Sequence, residues 1–386
     1  MDIVIIGAGL AGPLLAQGLI GNGHRPIVIE HRGAAEQRRT GYRIHLDPQG
    51  DLALQECLPE QLYELAVLTA GRPGSGVRVL DTDLTVVQEI EVRQPDPSQG
   101  RHLTVDRQTL REVLLAGLDA TVRSGLGFAR YALRPDGRVA VELTDGSVVE
   151  GDLLVGADGS ASRLRQQLLP GFDVREIGQL NIFGRTRLTP QVLPDVPAAA
   201  LAGFSTVAGN GRAMPLAAHR FAHPPQPTAD RLWPGLRMSA DGDYLMWVFS
   251  VPTAEAPGDR TPAALQAFVA DQVADWHPSL RRLVLAAEPD MTQSTVVRTS
   301  RRPEPWPAGP VTLIGDAAHP MIPAGIGAAV ALADAALLCR ELGAAEDRAT
   351  MIAAVDRYQR RMLDYGFAAV EQSEQVGGTT NVTASS

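Results

Sequence analysis

The sequence predicts an α/β protein: a Rossmann-like βαβ domain with a β-meander, an antiparallel-sheet domain inserted into it, and C-terminal helices. Three observations carry that expectation. A β-branched run, Ile3-Val4-Ile5-Ile6, leads directly into Gly7-Ala8-Gly9-Leu10-Ala11-Gly12. Two later apolar runs, Leu153-Leu154-Val155 and Val311-Thr312-Leu313-Ile314, lead into Gly156-Ala157-Asp158-Gly159 and Gly315-Asp316. Between those runs, from about 171 to 295, long alternating segments read as a mostly antiparallel sheet with a covering helix.

Taken in order, Ile3 to Ile6 suits a strand buried on both faces of a parallel sheet. Leu14, Leu15, Gly18 and Leu19 recur at helical spacing, and Gly21-Asn22-Gly23 ends that helix. Pro26 to Glu30 is the second strand, which completes a compact βαβ unit. Asp51 to Leu68 is patterned as helix, Val77 to Val92 as a hairpin around Asp81-Thr82-Asp83, and Arg107 to Leu118 as helix. Turn signals at Arg134-Pro135-Asp136-Gly137 and Thr144-Asp145-Gly146-Ser147 mark a three-stranded meander. The inserted part alternates over Ile177 to Leu188 and Tyr244 to Val251, has a proline-rich loop at Pro224-Pro225, and is helical from Pro262 to Trp276. After Ile314 the chain is helical to about Val376, and the Gly-Gly-Thr-Thr to Ser-Ser tail is expected to fray.

At 386 residues and 45% hydrophobic content the chain can bury a sizeable core, enough for roughly two or three domains. A net charge of −9 argues against a nucleic-acid partner, which needs a concentrated basic surface. The basic pairs Arg38-Arg39, Arg281-Arg282 and Arg301-Arg302 read as solvated surface. Cys57 and Cys339 lack metal-ligand spacing and read as packing residues, which excludes a disulfide framework and fits a reducing cytosol. No basic segment precedes the first apolar run, so no signal peptide is expected. The longest apolar stretch, Ala324 to Cys339, is too short for a bilayer and carries Asp334. The expectation is a soluble cytoplasmic protein, monomeric or homodimeric.

The glycine loop has a physical role for each glycine. Gly7 permits the tight turn, Gly9 lets backbone approach a pyrophosphate, and Gly12 lets helix and strand pack closely. With Leu10 and Ala11, they open a helix whose free N–H groups and dipole favour phosphate. Glu30, followed by His31 and Arg32, stands where an acid accepts hydrogen bonds from a ribose diol. This motif predicts a dinucleotide without separating NAD from FAD. Asp158 and Asp316, each just after a buried strand, fall at the carboxyl edge of the sheet, where open α/β sheets bind ligands.

These motifs carry a resemblance. From Met1 to about Leu342 the chain resembles the single-component, class A FAD-dependent aromatic monooxygenases of the para-hydroxybenzoate hydroxylase fold. The resemblance implies a glutathione-reductase-type FAD-binding domain over 1–72, 100–170 and 296–342. It also implies a substrate-binding domain over 73–99 and 171–295, and C-terminal helices with a frayed tail over 343–386. It places Asp158 near the cofactor and the nicotinamide path, and Gly315 and Asp316 on the ribityl or pyrophosphate part of FAD. Arg107 matches an arginine at a helix start near FAD, and Arg39, before Gly41, a segment that approaches the flavin. Gly325 and Gly327, after Pro323, would bring backbone N–H groups to the flavin pyrimidine edge. That segment is one residue shorter than the family pattern, with an apolar residue at the usual Asn position. The implied reaction uses FAD, NADPH or NADH as transient co-substrate, and O2. Oxygen adds at flavin C4a, and the hydroperoxide hydroxylates or epoxidises an aromatic or polyketide-like small molecule.

For an acid or base, the inserted domain offers His219, His223 and Tyr244, and for substrate contact Arg185, Trp247 and Phe249. No metal site is expected, because Pro224-Pro225 breaks any helix beside the two histidines. A flavin-dependent halogenase is disfavoured: no lysine follows Gly12 closely, and Trp247-Val248-Phe249 does not match the expected tryptophan signature. A reductase of the same superfamily or a redox-neutral cyclase remains the alternative.

Overall fold

The computed structural model describes residues 1–33, 42–72, 74–92 and 95–383. Its centre is a five-stranded parallel sheet of β1 (Asp2–Ile6), β2 (Arg25–Glu30), β7 (Val122–Ser124), β11 (Leu153–Gly156) and β17 (Val311–Leu313). The order is β17-β11-β1-β2-β7. Between β1 and β2 lies α1 (Ala11–Gly21). The β-branched run of β1 sits in the middle of the sheet and is buried, because α1 packs on its Ile5 side and a small antiparallel sheet lies against its Val4 side. Beside it stand a two-stranded ribbon of β3 (Arg43–Leu46) and β6 (Leu103–Asp106) and the meander β8 (Phe128–Leu133), β9 (Val139–Leu143) and β10 (Val148–Gly151).

Proline divides one of the expected helices. The segment patterned as one helix over Asp51 to Leu68 is α2 (Pro48–Cys57) and α3 (Glu60–Leu68), interrupted at Leu58-Pro59. The start of α2 lies upstream of the apolar pattern because Asp47 caps it, accepting from the Gln49 and Gly50 N–H groups at 2.9 and 3.1 Å. Following Asp106, α4 (Arg107–Leu115) leads to β7, and α5 (Arg163–Leu168) follows β11.

The second sheet has seven strands: β4 (Gly76–Leu80), β5 (Val86–Glu91), β12 (Val174–Arg187), β13 (Phe204–Gly209), β14 (Arg212–His219), β15 (Tyr244–Pro252) and β16 (Gln293–Ser300). The order is β16-β12-β15-β14-β13-β4-β5, antiparallel except where β13 meets β4. Between its strands run α6 (Ala198–Ala202), α7 (Pro225–Leu232), α8 (Pro262–Gln272) and α9 (Pro278–Leu285). The helix expected to Trp276 therefore stops at Gln272, and Pro278 opens a new one.

Strand alternation gives this sheet two unlike faces. Leu245, Trp247, Phe249 and Val251 face a core shared with Leu265, Val269, Leu280 and Leu283 of α8 and α9. The other face presents Tyr244 and Met246, which pack with Tyr42 beside β3. Finally, α10 (Gly327–Leu342) and α11 (Arg348–Thr383) close the chain over the parallel sheet. The tail expected to fray from Gly377 is helical to Thr383, since each residue added to a formed helix gains a hydrogen bond.

Candidate active site

The loop after β1 is built as its glycines require. Gly7 has φ +110°, and a Cβ there would lie 2.3 Å from the Ala157 oxygen. A Cβ on Gly12 would lie 2.1 Å from the Gly7 oxygen. Gly9 meets only the Arg107 guanidinium, at 3.8 Å, so the loop is open toward Arg107. The peptide of Ala8 is clamped from both sides: its N–H donates to Glu30 Oε2 at 2.8 Å, and its oxygen accepts from Arg111 Nε at 2.5 Å. Leu10, the N-cap of α1, supplies no side-chain cap. The first-turn N–H groups are left to a ligand or to water.

Glu30 also accepts from the Arg32 N–H at 2.9 Å, and its Oε1 lies 3.1 Å from His31 Nδ1. Its buried carboxylate thus holds the glycine loop. Arg107 opens α4, directly after Asp106, whose Oδ1 caps that helix at Thr109 N–H, 2.7 Å. Burial lowers the Arg107 pKa, against which the charges of Asp316, Asp106 and Glu30 act.

Across the cleft, Gly315-Asp316 leaves β17 in a tight turn with Gly315 at φ +59°. Asp334 of α10 fixes that turn. Its Oδ2 accepts from the Gly315 N–H at 2.6 Å and pairs with His319 Nε2 at 2.7 Å, and its Oδ1 accepts from Tyr365 at 2.5 Å. Arg165 donates to the backbone oxygens of Asp316, Ala317 and Ser160 at 3.3, 3.0 and 2.7 Å. The Asp316 side chain stays exposed, yet protein surrounds it closely enough that desolvation raises its pKa despite His319 and Arg107. Gly325, at φ +82°, and Pro323 are exposed ahead of α10, which begins at Gly327.

Asp158 works differently from Asp316. Its two oxygens accept from Ser162 Oγ at 2.5 Å and from the Arg163 N–H at 3.0 Å, so the carboxylate is engaged at the start of α5.

On the inner face of the seven-stranded sheet, Tyr244 donates to Asp106 Oδ2 at 2.8 Å. His219 stacks on Tyr244 with centroids 5.3 Å apart, and Arg185 lies over the Tyr244 ring at 4.8 Å. Arg185 is also bonded to Glu288 and Asp241, at 2.8 and 2.9 Å. Burial pushes the His219 pKa down to about 4, so its ring is neutral at physiological pH. Burial and the adjacent Asp106 push the Tyr244 hydroxyl well up.

Several expected substrate or acid–base residues lie elsewhere. Trp247 and Phe249 do share a face of β15, but it is the face buried under α8 and α9, away from Asp106 and Arg107. The pattern identifies a shared face without saying which layer covers it. His223 is exposed, just ahead of α7. Arg39 lies outside the described residues. Among those described, no cluster of potential metal ligands occurs and no helix is long and apolar enough to cross a membrane.

Sequence reasoning missed Arg111, Arg165, Asp106, His319 and Asp334. Arg111 follows Arg107 by one helical turn, a spacing that places both on one face of α4. For Asp334 the only signal is a charge inside an apolar helix.

The parallel sheet, uncapped α1, Glu30, Arg107 and exposed Asp316 define a dinucleotide-binding protein with a second, buried sheet face beside the cofactor cleft. A family model described as an FAD binding domain matches residues 132–373, more than half of the chain, and the chain belongs to that family. FAD is therefore the cofactor that the cleft fits.

The relatives agree. The dual O-methyltransferase/FAD-dependent monooxygenase elcB of Phaeosphaeria nodorum is 32% identical over 378 residues, 88% of this chain but 40% of that protein. The chain thus spans well under half the length of such dual-function relatives. 3-Hydroxybenzoate 6-hydroxylase 1 of Aquipseudomonas alcaligenes is 30% identical and is matched nearly end to end, over 98% of this chain and 94% of that one. Among solved structures, a protein of Photorhabdus luminescens described as an FAD-containing monooxygenase superposes with TM-score 0.81 at 28% identity, covering 100% and 98% of the two chains. Klebsiella pneumoniae HpxO, in complex with FAD and uric acid, shares the fold at TM-score 0.78, with 24% identity and coverage of 99% and 89%.

Proposed function

We propose that this protein is an FAD-dependent monooxygenase that uses NADPH or NADH and O2 to hydroxylate or epoxidise an aromatic or polyketide-like small molecule, in the cytoplasm. One observation carries the reading. The dipeptide Asp106-Arg107 joins the cofactor cleft to the sheet face: Arg107 reaches the glycine loop, while Asp106 holds Tyr244 of β15. A ligand against that face lies beside the cofactor.

In this reading the N-terminus of α1 and Arg107 hold the pyrophosphate, and Glu30, with His31 and Arg32 beside it, holds the adenosine ribose. Asp316 holds the ribityl chain, and the Gly325 to Gly327 backbone faces the pyrimidine edge. Bound and reduced FAD supplies O2 activated for transfer to an electron-rich ring. The protein's own part is to orient the two reactants and exclude water. The Tyr244 hydroxyl, committed to Asp106, acts here as a positioning group. Relatives that join a monooxygenase to an O-methyltransferase support phenolic secondary metabolism as the setting, because O-methylation needs a hydroxyl.

The test follows O2 and NAD(P)H consumption by the FAD-loaded protein with a panel of phenols and polycyclic phenols, with product mass analysis. The expected result is substrate-stimulated oxidation and a product heavier by one oxygen atom from O2. Consumption of NAD(P)H with a reduced product and no O2 uptake points instead to a reductase, and substrate rearrangement with neither NAD(P)H nor O2 consumed points to a redox-neutral cyclase.

A further inference from the structure

Arg43 stands apart from the cations around it. Arg185 is tied to Glu288 and Asp241, Arg187 to Asp241, and Arg78 to Glu89. Arg43 is half-buried on β3, yet among the described residues its guanidinium makes no hydrogen bond and no ion pair, and its Nε is sealed from solvent without a partner. Its side-chain contact is the Phe204 ring, 6.0 Å from the guanidinium carbon. The carboxylate opposite it in the β3–β6 register, Asp106, accepts instead from Tyr244 and from the Thr109 N–H. Burial lowers the Arg43 pKa to about 10, which leaves it cationic at neutral pH.

Its surroundings are otherwise neutral and aromatic. Phe204 lies against it, and Tyr244 is near enough to interact electrostatically. Tyr42 and Phe183 pack with centroids 5.9 Å apart in the same cluster, and both ring nitrogens of His219 are buried without partners. A buried cation without a counter-charge is unfavourable unless a ligand supplies one. A guanidinium steadied on an aromatic ring presents a planar fork that suits an oxyanion.

We propose that Arg43 determines specificity by binding a carboxylate carried by the aromatic substrate. This rests on the monooxygenase reading, in which the inner sheet face is the substrate side. Arg43 thereby selects acidic aromatics over neutral ones of equal shape.

The experiment titrates the FAD-loaded enzyme, by flavin absorbance, with paired acids and amides: 3-hydroxybenzoate, a hydroxynaphthoate and an anthraquinone carboxylate, each against its carboxamide. Wild type is expected to bind at least one acid ten-fold or more tighter than its amide. Arg43→Gln should erase that preference, and Arg43→Lys should retain part of it, with FAD content and melting temperature unchanged in both. No acid preference in wild type across the series overturns the proposal, as does a preference that survives Arg43→Gln. Loss of FAD from Arg43→Gln also overturns it, because the cation would then serve the cofactor. The titration needs no turnover, so an enzyme that prefers acids but forms no oxygenated product overturns the monooxygenase reading alone.

Discussion

Asp334 and His319 show how a few buried atoms set the shape of the cofactor cleft. Both side chains are fully buried, and the carboxylate serves His319, the Gly315 N–H and Tyr365 together. Burial pulls the His319 pKa down, but the charge and hydrogen bond of Asp334, with Asp316 nearby, outweigh it and leave the value above 6.5. A histidine raised in the folded state contributes stability that is complete below its unfolded pKa and is lost as pH rises through the folded value. Wild type should therefore lose thermal stability from about pH 6.5 upward, and His319→Gln should lose less over that range. Melting temperatures from about pH 6 to pH 9 test this, and parallel curves for the two proteins would sink it. Asp334→Ala strands a buried charge and should cost roughly 3–5 kcal/mol. None of this was legible beforehand, whereas the glycine loop, Glu30 and Asp316 were. Those residues announce themselves by what precedes them in the chain. Asp334 acts on Gly315 only because α10 folds back over β17.

At the scale of elements, close helix packing is the recurring device. Gly18 in the middle of α1 lies against the two cysteines: a Cβ there would be 2.7 Å from Cys339 Sγ on α10 and 3.1 Å from Cys57 Sγ on α2. Both thiols close on this one glycine, so residues that read as separate packing positions form one contact between three helices. Gly18→Ala gains about 0.5–1 kcal/mol of helix propensity but overpacks this contact at about 1–3 kcal/mol. Overpacking outweighs the gain in propensity, and the variant should unfold at lower urea. In a Cys339→Ala background the same substitution should become neutral or stabilising, a coupling that a double-mutant cycle in urea reads directly. Additive effects would mean that the helices simply move apart. Helix existence was legible here from the 3.6-residue pattern, and helix ends were not. Leu58-Pro59 divides α2 from α3 within one continuous apolar pattern.

At the scale of the molecule, the joint between the two sheets matters most. The parallel sheet could be read from its three apolar runs because each is contiguous. The seven-stranded sheet draws β4 and β5 from far upstream, with β4 pairing in parallel with β13, and no local pattern encodes such a pairing. The same limit explains the misplacement of Trp247 and Phe249: period 2 gives two faces of β15, and only the packing of α8 and α9 decides which one is core. The residues left on the other face meet the cofactor half through Tyr244 and Asp106, a buried hydrogen bond of 2.8 Å between β15 and the cap of α4. Tyr244→Phe keeps the ring under Arg185 and beside His219 but leaves Asp106 Oδ2 short of a donor, at a cost of roughly 1–3 kcal/mol. Because Asp106 also caps the helix that starts with Arg107, the loss should reach the cofactor side. Amide hydrogen exchange should quicken in β6 and the first turn of α4, and FAD should leave faster, while exchange in α8 and α9 stays as in wild type. Faster exchange confined to β15, with FAD release unchanged, would show that the sheet face and the cofactor cleft are built independently.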